Sequence, residues 1–501
     1  MREASKVSSG HRWWRRIDPL VYIIGATALL VYALHGFDGL LKRDLAIYSY
    51  AGQQVVEGVP PYMGILNRAG PLAHLIPAIG VVAARVGGLE DVFGIRLLFM
   101  IIAVACVCVV YALARDLFSS RLAGLASATA FLSFYGFIEY ATNGPREKTP
   151  MVLFLVCALL AVERRRWFAA GFGVSLTALV WQPAFLVGMA AALTTLIALR
   201  ASERSQASVR FIAGGLVPAS VCIIYFAVVG ALREFFDAFI LINAKYSSGD
   251  SLLPNFGGKW ETMQRGYGVS LWTMVVGLAA LTILTLVAVY REGWRAPARI
   301  PVAAVGAASL VALAWTFHDF NSWPDAYVLL PLAAVGIGGI AAELTKHLPD
   351  KAALTIVVAW VLIALAVSVT YSTTQRSYVL ERQRDSVEAT LSQLPSDASI
   401  QSIGAPQPLV LSGSTNPTRH QTFAQGLASY VDDTWPGGLS GFAEWIGREQ
   451  PTVISLDSRR VPEWVRKTIR TEYQRVGHAP GWVWFVHRSV ASDVRVDAGT
   501  P

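Results

Sequence analysis

Apolar residues along this chain gather into runs of about sixteen to twenty-odd positions, separated by short polar links. Runs of that length let an α-helix cross a hydrocarbon core, and because they do not alternate polar with apolar they argue against a transmembrane barrel. Placing the strongly basic links on the cytoplasmic side orders the runs into about 11 crossings. The first, about Pro19 to Leu41, follows HRWWRRID; it exceeds the core of a secretory signal peptide and shows no small-residue cleavage site. It therefore reads as a retained anchor with residues 1–18 in the cytoplasm. A first outside loop covers 42–95, in which the apolar run Pro71 to Leu89 contains Pro77, Arg85 and several glycines. Counted as a crossing, that run would put the basic link 163–167 outside, so it is assigned as interfacial or re-entrant.

The later crossings are expected near Arg96–Ala114, Leu122–Ala141, Met151 to the link at 163, the hairpin Phe168–Trp181 and Ala184–Leu199, and Phe211–Leu232. Two more flank the outside loop 318–327, and the last runs from Leu354 to Tyr371. Beyond it the pattern becomes that of a water-soluble domain, residues 372–501, placed outside by the odd number of crossings. Strands are expected at Ala398–Ile403, Pro408–Leu411, Thr452–Leu456 and Trp482–His487, with helices around Val379–Leu394, Gly441–Arg448 and Val461–Arg475. The expected architecture is an α-helical polytopic membrane protein with interfacial helices in its first outside loop and a C-terminal extracytoplasmic α/β domain.

Composition agrees with this reading. With 54% hydrophobic and 15% charged residues, and a mean hydropathy of +0.46, the chain is too apolar for a soluble globular protein. Its net charge of +8 comes from Lys and Arg in the links, which orient the helices; nucleic acid is not an expected partner. Cys106, Cys108, Cys157 and Cys222 all lie in apolar runs, so no disulfide framework is implied. A multi-pass protein of the plasma membrane follows.

Candidate chemistry collects in three loops on one side. The first, KRDLAIYSYAGQQVVEGVPPYMGILNRAGPL, carries Asp44, Tyr48, Tyr50, Tyr62 and Arg68; its apolar positions Leu45, Tyr48, Gly52, Val55 and Val56 share a helical face suited to lying along the bilayer. The second, TNGPREKTP, carries Arg146, Glu147 and Lys148, and the third, HDFNSWPDAY, carries His318, Asp319, Asp325 and Tyr327. Ionisable groups at a membrane edge are costly unless solvated, paired or used, so their convergence points to a site. Plainer roles stay open: an N-cap for Asp44, an interface anchor for Arg68, headgroup contacts for Arg146 and Lys148, a hydrogen-bonded pair for His318 and Asp319, and packing for Trp181, Gln182 and Pro183. No His/Cys cluster suggests zinc and no cofactor is required, although a divalent cation held by Asp44 and Glu147 remains an alternative.

An acid shortly after the first crossing, the G-x-P-P-Y of Gly58 to Tyr62, and Arg68 before Gly70-Pro71-Leu72 together resemble the membrane glycosyltransferases of the C-type fold. The stretch Gly144 to Pro183, a charged loop, two helices, a basic turn and Trp-Gln-Pro, is similar to a segment of the dolichyl- or polyprenyl-phosphate-mannose mannosyltransferase-like proteins. The resemblance covers roughly residues 19–345. It implies that Asp44 is the catalytic acid of the first loop, that Glu147 stands in the region of a second acidic position, and that Arg68, Arg146 and Lys148 hold the donor phosphate. Tyr48, Tyr62, His318, Asp319, Asp325 and Tyr327 are the expected substrate contacts. The implied reaction is an inverting transfer of a sugar, mannose favoured, from a polyprenyl-phosphate donor to a glycan, lipid or protein acceptor on the outer face, with Asp44 as general base. A transporter or flippase of a lipid-linked glycan is the alternative; it would favour paired repeats and charges near mid-span, whereas the charges here sit at one face. The C-terminal domain, through its polar loop Gly413–Phe423, is expected to orient the acceptor or cover the site.

Overall fold

In hydrocarbon every backbone N–H and C=O must be satisfied within its own segment, so the apolar runs fold as helices. The computed structural model describes residues 18–246, 256–292, 300–424, 426–457 and 460–491. Its first helices are α1 (Leu20–His35), α2 (Arg43–Val56), α3 (Leu72–Val86), α4 (Asp91–Phe118), α5 (Arg121–Leu132) and α6 (Tyr135–Asn143). Next come α7 (Lys148–Glu163), α8 (Trp167–Val180), α9 (Ala184–Ala198) and α10 (Ala201–Val228). A short α11 (Leu232–Phe235), a π-helix (Phe236–Leu241) and α12 (Ile242–Lys245) lead to α13 (Phe256–Tyr267), α14 (Ser270–Glu292) and α15 (Ile300–His318). A 3₁₀ turn (Trp323–Leu329) runs into α16 (Leu330–His347), and α17 (Asp350–Thr374) completes the apolar part.

Each expected crossing has a helix in its place. By length and composition 6 of them reach membrane-crossing dimensions, or 7 if α5 and α6 count as one bent span. That bend is a departure from the continuous helix expected over Leu122–Ala141: α5 and α6 meet at 68°. Phe134 is extended between them, and the freed N–H of Tyr135 donates to Ser270 Oγ at 3.1 Å, so the break leaves no orphan donor there. The helix expected from Phe211 begins ten residues earlier, at Ala201, and takes in the basic link.

The first loop forms α2 and α3. α2 does not lie against lipid as its apolar face suggested: Leu45 to Gln54 are all buried, because α3 packs on one side and the C-terminal domain covers the other. The strap leading into α2 is clamped through its backbone. Arg96 of α4 donates to the carbonyls of Phe37 and, at 2.9 Å, Gly39; Asn143 Oδ1 accepts the Gly39 N–H at 3.0 Å. Gly39 is required there, since any Cβ would collide with Asn143.

The C-terminal domain contains α18 (Val379–Leu391), β1 (Ile400–Ile403), α19 (Gln407–Ser412), α20 (Leu427–Thr434), α21 (Gly438–Glu449), β2 (Val453–Leu456), α22 (Arg466–Glu472), β3 (Tyr473–Ala479) and β4 (Trp482–His487). The sheet order is β1-β2-β4-β3, with β1 parallel to β2 and the other pairs antiparallel. Two expectations are corrected. Pro408–Leu411 is helical, because Pro406 and Pro408 sit at the cap and first turn of α19, where a fixed φ suits a helix start. The helix expected over Val461–Arg475 stops at Glu472, and Tyr473–Ala479 is an edge strand. Only its two end residues are buried, so it presents almost no alternation to read.

This domain is built onto the helices. Gln383 accepts the Leu41 N–H at 2.8 Å and donates to the Leu41 carbonyl at 3.2 Å. Leu66 N–H donates to the Arg419 carbonyl at 2.7 Å, and Gln421 donates to the Gly64 carbonyl at 3.1 Å. Buried residues of α18, β1 and β4, Trp484 among them, join one apolar cluster with α1, α2 and α4.

Gly70 sets the depth of the Arg68 turn: its N–H donates to the Val180 carbonyl at 3.1 Å, and a Cβ there would strike the Leu179 carbonyl. Gly70→Val is expected to cost about 1–3 kcal/mol by overpacking, read as a lower Tm of the detergent-purified protein. Gly257→Ala, where a Cβ meets open space, should leave Tm equal or higher; equal losses at both positions would contradict this packing.

Candidate active site

The three charged loops meet at one cavity of about 610 Å³. Asp44, Tyr48, Asn67 and Arg68 line it from the first loop, Arg146, Glu147 and Lys148 from the second, and Asp319, Asn321, Ser322 and Asp325 from the third. Trp181 and Gln182 join from the α8–α9 turn, Asn243 from α12, and Thr422, Ala424 and Leu427 from the C-terminal domain.

Asp44 is in the first turn of α2, but the N-cap is Lys42, so the carboxylate is not engaged as a cap. Its Oδ2 accepts from Arg146 at 2.8 Å and its Oδ1 from Arg43 Nε at 3.4 Å. Arg43 reaches on to Asp457 of the C-terminal domain at 3.1 Å. Burial pushes the Asp44 carboxyl up, but the Arg146 charge and hydrogen bond outweigh it and hold the group at about 2. Arg146 is buried. Burial alone would lower its pKa, yet Glu147 and Asp44 raise it above the usual arginine value. Its Nε lies 3.2 Å from Glu147 Oε2, close enough for ion pairing though not aligned as a hydrogen bond.

The sequence of charges continues. Glu147 stands 3.5 Å from Lys148 Nζ, which donates to Asp325 Oδ1 and lies 5.0 Å over the Trp181 ring. Asp325 also accepts the N–H groups of Asn321 at 2.8 Å and Ser322 at 2.9 Å, forming a capping box that fixes the third loop. Signs therefore alternate along Arg43, Asp44, Arg146, Glu147, Lys148 and Asp325. Arg68 differs: its carbonyl is held by Asn243 Nδ2 at 2.9 Å, while among the described residues no carboxylate stands within ion-pairing distance of its guanidinium.

Three expected substrate contacts lie elsewhere. Tyr62 is buried, donating to the Ala69 carbonyl at 2.8 Å and packing on Phe226. Tyr327 is buried and donates to the Gly136 carbonyl at 2.6 Å. His318 sits edge-on to Trp315 outside the cavity lining, and its neighbour Asp319 accepts from Asn321, so the expected His318–Asp319 pair does not form. Tyr62 and Tyr327 are the satisfied polar ends of packed aromatics, and His318 is the exposed end of α15. A cation between Asp44 and Glu147 would have to displace the Arg146 guanidinium, and among the described residues no group of 3 or more His, Cys, Asp or Glu is placed to hold a metal.

Sequence reasoning missed Arg43, Asn67, Asn243 and Asn321, which are neutral or link-like in type. Trp181 and Gln182 were visible only as a turn, although Gln182 donates to the Phe239 carbonyl at 2.9 Å and so fixes the α8–α9 corner against the π-helix. Lys148→Met would leave Asp325 buried without its counter-charge, at a cost of about 3–5 kcal/mol. A fall in Tm, largely recovered by Lys148→Met with Asp325→Asn, checks this; no recovery would mean that the lysine stabilises by packing alone.

The family model for dolichyl-phosphate-mannose-protein mannosyltransferase matches residues 74–227, the segment from α3 to α10 that carries the second charged loop. No curated protein matches the chain at significant similarity. Among solved structures, ArnT from Cupriavidus metallidurans bound to undecaprenyl phosphate is similar over 96% of this chain and 99% of its own, with 14% identity and a TM-score of 0.62. The oligosaccharyltransferase of Archaeoglobus fulgidus is similar over 97% of this chain and 76% of its own, with 12% identity and a TM-score of 0.54. A second structure of it, tethered to an acceptor peptide containing the NVT sequon, gives a TM-score of 0.51 at 12% identity over 89% of this chain and 70% of its own. The fold is thus shared nearly end to end with ArnT, and the segment that matches the mannosyltransferase model supplies one wall of the cavity.

Proposed function

We propose that the cavity transfers a sugar, mannose favoured, from a polyprenyl-phosphate donor to an acceptor hydroxyl on the outer face of the plasma membrane, with inversion at the anomeric carbon. The observation that carries this reading is that Asp44 and two cations in different states, Arg146 paired and Arg68 unpaired, face one cavity. The undecaprenyl phosphate in the ArnT structure and the acceptor peptide on the oligosaccharyltransferase support a lipid-linked donor and a presented acceptor. This reading puts the N-terminus in the cytoplasm and the C-terminal domain on the outer face, as the basic links between the helices suggest.

In the free protein Asp44 is too weak a base for a hydroxyl proton, because Arg146 favours the bare carboxylate. A donor phosphate changes that balance. Arg68 takes the anion first, and Arg146, forked and able to bridge two acceptors, turns part of its bonding from Asp44 to the phosphate. The relieved carboxylate accepts the proton of the acceptor hydroxyl as its oxygen attacks the anomeric carbon. The bond from that carbon to the phosphate oxygen breaks, and polyprenyl phosphate leaves with the electron pair, its new charge met by Arg68 and Arg146. Glu147 holds Arg146 from behind. Lys148 acts through Asp325 and Trp181 as a positioning residue.

Transfer from a panel of radiolabelled polyprenyl-phosphate sugars by the purified protein tests this. Asp44→Asn should lower the rate about 10²–10⁴-fold, and Arg68→Ala should raise the donor KM more than it lowers kcat. Arg146→Gln removes the charge that holds Asp44 at about 2; burial then dominates, and the acid limb of the residual pH–rate profile should move upward. Wild-type rates in Asp44→Asn would remove the proposed base, and vectorial lipid movement without transfer from any donor would favour a flippase.

A further inference from the structure

A second cavity, of about 620 Å³, opens where the π-helix meets the C-terminal domain. It lies beside the first and shares its walls. Along α20, Leu427 lines the first cavity and Tyr430 and Thr434 the second, a displacement of about 5–10 Å at 1.5 Å per residue. Before α20, Thr418 to His420 face the second cavity while Thr422 faces the first; Asp237 of the π-helix and Asn243 of α12 divide in the same way. The partition is held firmly. Gly426, at φ +85°, is packed against the Tyr246 carbonyl, and the Tyr246 hydroxyl donates to Asp433 at 2.7 Å.

The lining has a recognisable chemistry. Arg419 and Glu234 supply a strong donor and a strong acceptor, with Asp237 opposite on the π-helix. Among the described residues Arg419 has no carboxylate within ion-pairing distance. Trp435 presents a half-buried indole backed by Phe442. His420 is 94% buried, since only 6% of its surface is exposed, and its Nδ1 has no hydrogen-bond partner among the described residues. Burial pushes that imidazole down to about 4, so it is neutral near pH 7, with one nitrogen to donate and one to accept. Arg233, which pairs with Asp237 at 3.8 Å, completes the lining, so two arginines are offset by two acids and give no net preference for an anion. Donors and acceptors of both kinds around an aromatic edge match a neutral sugar ring, which has hydroxyls at its rim and C–H groups on its faces.

We propose that this second cavity binds a neutral hexosyl unit of the acceptor, next to the sugar or aglycone whose hydroxyl reacts in the first cavity. This rests on reading the first cavity as the transfer site, and it narrows the acceptor class to an oligosaccharide or glycoconjugate with at least one sugar beyond the reacting group. Binding of mannobiose, cellobiose, chitobiose and maltose to the detergent-purified full chain, compared with their monosaccharides and with inorganic phosphate, tests it by calorimetry. At least one disaccharide should saturate the wild type more tightly than its monosaccharide. Arg419→Ala and Glu234→Gln, each checked for an unchanged Tm, should weaken it about ten-fold through loss of a charged hydrogen bond, while Gly257→Ala, which lines neither cavity, should bind it as the wild type does. Saturation by none of the disaccharides, wild-type affinity in both cavity variants, or binding of phosphate alone would overturn the proposal. Disaccharide binding lost in Arg419→Ala, with no sugar transfer from any donor, would uphold this subsite and defeat the transfer reading instead.

Discussion

A single buried guanidinium decides how the three charged loops come together. Arg146 touches Asp44 at the start of α2 and Glu147 at the start of α7. Two carboxylates so placed would repel and resist burial, and with Arg146 between them they become walls of one cavity. Lys148 repeats the device one step on, joining Glu147 to Asp325 and thereby to the capped turn before α16. Charges that are costly at a membrane edge thus hold that edge in register. The same pairings that stabilise the loops also restrain Asp44, so stability and readiness for chemistry are set against each other in one network.

The C-terminal domain contributes to this network instead of resting above it. Asp457 anchors Arg43, which flanks Asp44, and Gln383 bonds both backbone groups of Leu41, two residues before α2 begins. Thr422, Ala424 and Leu427 close the cavity on the side away from the helices. With the strap before α2 gripped by Arg96, Asn143 and Gln383 together, Asp44 is positioned by groups from three separate parts of the chain.

Much of this could be read from residue order, for a physical reason. Helices that must satisfy themselves in lipid are written in long apolar runs, and charges left at their ends on one side have few places to go, which is why Asp44, Arg68, Arg146, Lys148 and Asp325 were legible as a group. What failed to show were features decided by distant contacts. Ser270 supplies the acceptor that lets the chain break after Leu132, and nothing local to that helix marks it. Tyr62 and Tyr327 have the composition of a sugar site but find backbone carbonyls inside the packing. Asp457 lies 414 residues from its partner Arg43, beyond any reach of local pattern.

The charged side chains of the cavity nearly cancel, yet the backbone around it does not. α2 begins at Arg43, α7 at Lys148, α9 after Pro183, and the turn into α16 after Ser322, and residues from all four beginnings line the same space. Each helix start carries roughly half a positive charge from its aligned peptide dipoles, about +2 in sum. This field belongs to the main chain; no side-chain substitution can titrate or delete it. A donor phosphodiester arriving with one negative charge, and the phosphate that gains a second as the sugar departs, meet an electrostatic complement in the architecture as well as in the arginines.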